Sequence, residues 1–232
     1  MAHIPDGVLS GPVLALGAVV TVAGCGYGLR RLTPAAIPQT GILAALFFIA
    51  SLVHFPVGPA SVHLILNGLV GVMLGWVAFP AIAAALLLQA VLFGFGGVVV
   101  LGVNIMNMAV PAVLCGLLFR MALRRLVARP QGPGRWGGLA GGGAGALGVM
   151  LTALAVAGSL AVSGREFMPA AQLIMVTHVP VMGVEAVFTA AVVAVVLRVR
   201  PTVFSLPESS TGKVPGARSK SSRDAWDPDR MP

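Results

Sequence analysis

Along this chain long apolar stretches alternate with short breaks of Pro, Gly or Arg. The pattern predicts seven helices, over about 9–30, 38–55, 60–75, 77–95, 104–126, 138–162 and 171–198. Crossing the hydrocarbon of a bilayer takes about 20 helical residues. Most of these stretches meet that length. The third, "ASVHLILNGLVGVMLG", is short and is expected to be a half-depth or protein-buried helix. Between the fourth and fifth, "FGFGGVVVLGVN" is apolar but rich in Gly and reads as a re-entrant or folded-in loop. The predicted fold class is an all-α polytopic membrane protein. Residues 1–200 form the integral-membrane unit, and the Ser-, Pro- and charge-rich residues 201–232 form a basic, mostly disordered tail.

Composition agrees with this reading. Of 232 residues, 57% are hydrophobic and only 9% charged, against about 25% charged in soluble domains. The net charge of +8 first suggests a nucleic-acid partner, but the placement of the charges excludes one. Every Lys and Arg except Arg165 lies at or after the end of the first, fifth or seventh stretch. In a seven-span chain these positions share one side, which the positive-inside rule makes cytoplasmic. The C-terminus is then inside, facing anionic lipid, and the N-terminus outside. With no Lys or Arg before Arg30, the first stretch lacks the start of a cleavable leader. Cys25 and Cys115 lie in apolar runs and read as buried thiols. Gly24/Gly28, Gly71/Gly75, Gly137/Gly141, Gly138/Gly142 and Gly141/Gly145 sit at the spacing of close helix contacts within the bundle.

Few polar side chains interrupt the apolar stretches, and at membrane depth such groups mark function by default. His63 is placed at the outer end of the third stretch, with Asn67 four residues on and on the same predicted helix face. His54 reads as an interfacial histidine. His178 and Glu185 are seven apart and share a face of the last stretch, and Asn104 and Asn107 are three apart and suited to bond a loop backbone. Clustered carboxylates, the mark of a Mg or Ca site, are missing, whereas imidazole suits Ni and Co. The chain opens "MAHIPDG". A terminal amine, a backbone amide and a nearby imidazole form fused chelate rings. If Met1 is retained, it supplies the amine and the tip fills four positions. If Met1 is removed, Ala2 supplies the amine and a fourth donor is needed, for which His63 is the candidate. Pro5 and the Asp-Gly turn fold the tip back toward the bundle.

The motifs "HIPDGVLS", "GPASVHLILNGLVGVMLG", "AFPAIAAALLLQAVLFGFGGVVVLGVNIMNM" and "HVPVMGVEAVFTA" resemble the CbiM/NikM family over roughly residues 3–198. These proteins are the substrate-binding membrane components of energy-coupling factor (ECF) ABC transporters for cobalt and nickel. The resemblance implies seven helices with an external N-terminus inserted into the pocket. It also implies a metal site made of the chain start, His3 and His63. Asn67, Asn104, Asn107, His178 and Glu185 read, from their own positions in the chain, as supporting or pocket residues beside it. The family usually begins Met-His, and here Ala2 intervenes. Implied too are Co2+ or Ni2+ as transported substrate with no permanent cofactor, a role in cobalamin synthesis, and residence in the bacterial cytoplasmic (inner) membrane. The implied partners are a CbiQ-like coupling subunit, CbiO-like ATPases and a small CbiN-like accessory subunit. No GxxxxGK[ST] loop is present, so ATP hydrolysis is expected in partners and the chain is not expected to be an enzyme. Two other readings stay open at this point: an intramembrane metalloenzyme, and a stand-alone metal/proton carrier, each using His178 and Glu185.

Overall fold

The computed structural model describes residues 3–57, 60–129 and 132–204, with side chains described except at 54–57 and 60–62. Seven α-helices follow the apolar stretches: α1 (Gly11–Arg31), α2 (Ile37–Ala50), α3 (Asn67–Leu74), α4 (Ala78–Phe93), α5 (Leu101–Val127), α6 (Gly134–Ser163) and α7 (Met168–Val199). Pro stands in the first turn of α1, α2 and α7, where a missing amide donor costs nothing. Arg30 and Arg31 close α1 at its negative end. Gly94, at φ +68°, ends α4 in the left-handed conformation that glycine adopts without strain.

The third stretch departs from the sequence expectation. Residues 60–63 are not helical. They form strand β2 (Ala60–His63), antiparallel to β1 (His54–Val57), with His54 opposite His63. Pro56 and the β-branched Val57 and Val62 favour extended backbone. Leu66 then takes φ +54°, left-handed, so α3 cannot extend backward past Asn67. His63 and Asn67 therefore do not share a helix face. The hairpin also shortens α2, which stops at Ala50 rather than near residue 55.

Five helical segments are long and apolar enough to cross a membrane, and Pro34–Ala50 is a shorter apolar helix. One of the five, Asn67–Phe93, is folded back on itself at Gly75 (φ +59°). Asn67 lies beside Met108, Gly71 against Ala112 and Gly75 against the Arg120 guanidinium, so α3 runs alongside α5 in the same direction. From there α4 returns: Phe79 abuts Gly24 of α1, and Gly96, just past its end, reaches Asn104. The bundle thus keeps the alternation of a seven-helix chain, with α2 and α3 too short to cross alone. Arg30, Arg31, Arg120, Arg124, Arg125, Arg198 and Arg200 gather at one end, and residues 3–10 at the other.

Small residues set the helix spacing. A Cβ on Gly71 would lie 1.7 Å from the Ala112 carbonyl oxygen, and one on Gly116 2.1 Å from the Gly71 oxygen, so α3 and α5 cross backbone to backbone. Along α6, Gly137, Gly141 and Gly145 meet Leu197, Val193 and Glu185 of α7. These glycines serve packing within the bundle, as their spacing predicted. The central core joins α3, α4 and α5 through Ile82, Leu86, Met108 and Ala112. A second cluster, with Ile4, Val100, Val103, Val156 and Leu160, packs under the N-terminal tip. Val19, Val91, Val162, Val176 and Val187 point outward, as lipid-facing positions do. Of the tail, Pro201–Phe204 form a 3-10 turn whose Phe204 ring lies against Phe119. Residues 205–232 lie outside the described residues.

Candidate metal centre

The tip is bound to the bundle through its backbone. Asn104, at the start of α5, accepts from the Ile4 amide (3.0 Å) and donates to the Ile4 carbonyl (3.1 Å). The Asp6 amide donates to the Gly96 carbonyl (3.0 Å). Asp6 Oδ1 accepts from the Val100 amide (3.0 Å), capping α5 where its free donors and positive dipole end favour a carboxylate. Ser163, at the far end of α6, donates its hydroxyl to the Ser159 carbonyl (2.8 Å) and accepts from the Ser10 amide (3.2 Å). The 94–100 loop bends around these groups. Gly96 and Gly97 hold φ +80° and +135°, and a Cβ on Gly97 would sit 2.2 Å from the Asp6 carboxylate. The Ile4 side chain is buried, which contributes about 1.5–3 kcal/mol relative to a tip released into water.

This anchoring brings His3 to His63. Their ring centroids are 5.2 Å apart and the planes 21° from parallel, and the two residues are 7% and 3% exposed. Phe95 also stacks on His3, at 5.9 Å. Nitrogen ligands stand about 2 Å from a divalent transition ion, so rings this close are able to share one ion. The His63 Nδ1–H donates to the Leu64 carbonyl (2.8 Å). A carbonyl only accepts, which fixes the tautomer and puts the lone pair of the neutral ring on Nε2. Beside His3 lies a cavity of about 670 Å³ lined by Phe93, Phe95, Val156, Leu160 and Ile174.

The remaining predicted residues divide. Met1 and Ala2 lie outside the described residues, as does the His54 side chain. Asn104 bonds the tip, as its loop-binding reading anticipated. Asn67 instead ties helices together, donating to the Met108 carbonyl (3.1 Å), the Gly148 carbonyl (3.4 Å) and Thr152 Oγ1 (2.7 Å). Asn107 Oδ1 accepts from Ser159 Oγ (3.3 Å), joining α5 to α6. His178 donates from Nδ1 to the Ile174 carbonyl of its own helix (2.7 Å). Glu185 Oε1 accepts from the Ile65 amide and from the Leu66 amide (2.7 Å), in the turn just after His63. Among the described residues no three His, Cys, Asp or Glu side chains gather into a cluster able to hold a metal ion. The capping role of Asp6 was missed in the sequence. Its signal was present, since Asp6 is the only acidic residue before Glu166.

A helical bundle with lipid-facing outer positions, with residues 3–10 bound across one end, defines a multi-pass membrane protein. The family described as the cobalt uptake substrate-specific transmembrane region, CbiM, matches residues 3–203, and the chain belongs to this family. A protein of Haemophilus influenzae, whose name assigns it to metal transport, is 42% identical over 208 residues, covering 89% of this chain and 98% of that protein. The fused nickel transport protein NikMN of Rhodobacter capsulatus is 38% identical over 114 residues, covering 47% of this chain and 33% of that longer protein. A crystal structure of a truncated transition metal transporter superposes with a TM-score of 0.69 at 26% identity, covering 84% of this chain and 98% of its own. The chain is thus a membrane component of a metal-transport family whose description names cobalt uptake.

Proposed function

We propose that this chain is the substrate-capturing subunit of an ATP-driven energy-coupling factor importer, binding Co2+ or Ni2+ at its N-terminal tip. The observation that carries the reading is the pairing of His3 with His63 at 5.2 Å, buried at one end of the bundle by a tip held in place by Asn104 and Asp6. Two imidazoles do not complete a site. The terminal amine, on Met1 or Ala2, and the backbone amides of the tip supply the remaining nitrogens, in keeping with the lack of a carboxylate-rich cluster among the described residues. Nitrogen-only donation suits Ni2+ and Co2+ over Mg2+ or Ca2+. Relatives named for nickel and for cobalt transport fit the same pair of ions.

In this reading the arginine end faces the cytoplasm of a bacterial cell, in its inner membrane, and the tip faces outward to meet the ion. The fused NikMN relative supports a small accessory subunit as partner, and a fused relative named CbiMQ supports a coupling subunit. ATP is hydrolysed by separate ATPase subunits, and the delivered cobalt feeds cobalamin synthesis. His178 and Glu185 are engaged with backbone groups, which favours this reading over an enzyme or a stand-alone carrier built on them. The test is Ni2+ and Co2+ binding to purified full-length protein whose N-terminus has been read by mass spectrometry. Both His3→Ala and acetylation of the terminal amine are expected to lower affinity at least 100-fold. Undiminished binding after either change would refute the site.

A further inference from the structure

His63 is the last residue of strand β2 and precedes three residues of irregular backbone, Leu64 to Leu66, before α3 begins. Nothing in regular secondary structure fixes the direction in which that segment leaves the strand. Leu66 is held at φ +54°, the one non-glycine among the described residues with positive φ. A β-carbon residue in that region needs its surroundings to hold it there. The group that does so is on α7. Glu185, fully buried, places one oxygen, Oε1, on two consecutive amides, those of Ile65 and Leu66. Its other oxygen, Oε2, has no hydrogen-bond partner among the described residues. The contact is therefore made by a single acceptor atom, and the rest of the carboxyl group contributes no further hydrogen bond.

The same segment controls the ring. His63 Nδ1–H is donated to the Leu64 carbonyl, and Leu64 is joined by one peptide bond to Ile65, whose amide Glu185 takes. Glu185 thus fixes the peptide plane whose carbonyl sets the tautomer and orientation of His63. Groups that orient a ligand in this way are worth 10–100-fold in metal affinity. We propose that Glu185 is a positioning residue for the ion site: through Oε1 it holds the Leu64–Leu66 turn, and through that turn it sets where the His63 lone pair points. The inference rests on His63 being a ligand, as read above. It also makes α7 a mechanical partner of the site, since a shift of α7 moves the turn that carries the ligand.

The role depends on an acceptor atom, not on a charge or a proton, and this gives a test that a merely structural or proton-carrying role would fail. Full-length protein in detergent is titrated with Ni2+ alone, reading affinity and the visible ligand-field spectrum. In Glu185→Gln the amide oxygen replaces Oε1, and the NH2 group falls where Oε2 has no partner among the described residues. Affinity within about threefold of the parent and an unchanged spectrum are expected; loss of binding in folded E185Q would overturn the proposal. Glu185→Leu removes the acceptor. It is expected to weaken Ni2+ binding by 10–100-fold and to move the spectrum toward that of His63→Ala; a folded E185L with the parent's affinity and spectrum would also overturn it. If E185L does not fold, Glu185→Asp decides, since its shorter arm displaces the turn without deleting the acceptor: a shifted spectrum supports the proposal and an unshifted one refutes it. His63→Ala separates the two levels. Parent-like spectra in H63A would sink His63 as a ligand and the role of Glu185 with it, whereas a changed H63A beside a parent-like E185L would sink only the role of Glu185.

Discussion

Asn104 spends its whole amide on the backbone of one residue, Ile4, two hydrogen bonds at 3.0 and 3.1 Å. Each is worth about 0.5–1.5 kcal/mol net. Asn104→Ala is therefore expected to free the tip at a cost of about 1–3 kcal/mol, seen as faster hydrogen exchange at Ile4 and weaker Ni2+ binding while the melting of the bundle changes little. Asp6→Ala removes the cap of α5 and is expected to cost about 0.5–2 kcal/mol, with Asp6→Asn recovering most of it; thermal melting in detergent reads both. The histidines were legible in the sequence because an ionisable group in an apolar run is conspicuous. The use of Asp6 and of Glu185 was not, since Asp6 Oδ1 takes an amide 94 positions along the chain and Glu185 takes amides 119 and 120 positions away. No local pattern announces such pairings. Gln89, buried in α4, has no role that the structure explains.

Helix boundaries were legible where Pro, Gly and Arg punctuate them, and the one misread element is instructive. "SVHLIL" is a short apolar run, and such a run reads equally as strand or as buried helix. What decided it was tertiary: Glu185 supplies the acceptor that helical carbonyls would otherwise provide to Ile65 and Leu66. The folding-back at Gly75 was half visible, as a stretch too short to cross. At this scale the crossing of α3 on α5 is the rigid point. Gly71→Ala would drive a methyl into the Ala112 carbonyl and is expected to cost about 1–3 kcal/mol. Gly143→Ala on α6, with open space at its Cβ, is the control and is expected to stabilise by roughly 0.5–1 kcal/mol. Thermal unfolding of the two variants in the same detergent checks the contrast.

For the whole molecule, the arginine end and the tip end are opposite, so a sidedness assay tests the orientation proposed. In a background of Cys25→Ser and Cys115→Ser, a membrane-impermeant thiol reagent on intact cells is expected to label Glu166→Cys and to leave Gly212→Cys unlabelled. The reverse pattern would invert the topology. Long-range attachment of the tip has one more consequence, and it concerns time. Residues 3–10 are made first, yet what holds them comes later: Gly96 to Asn104, then Ser163 at the end of α6, while the turn behind His63 waits for Glu185 on α7. Domains form as their segments emerge, and closing such distant contacts is slow. The tip is thus seated only once α6 has been made, and the His63 turn only once α7 has. On the proposed reading, ion binding at the tip is then a certificate of completion, because a chain halted before α7 lacks the Glu185 acceptor behind the His63 turn.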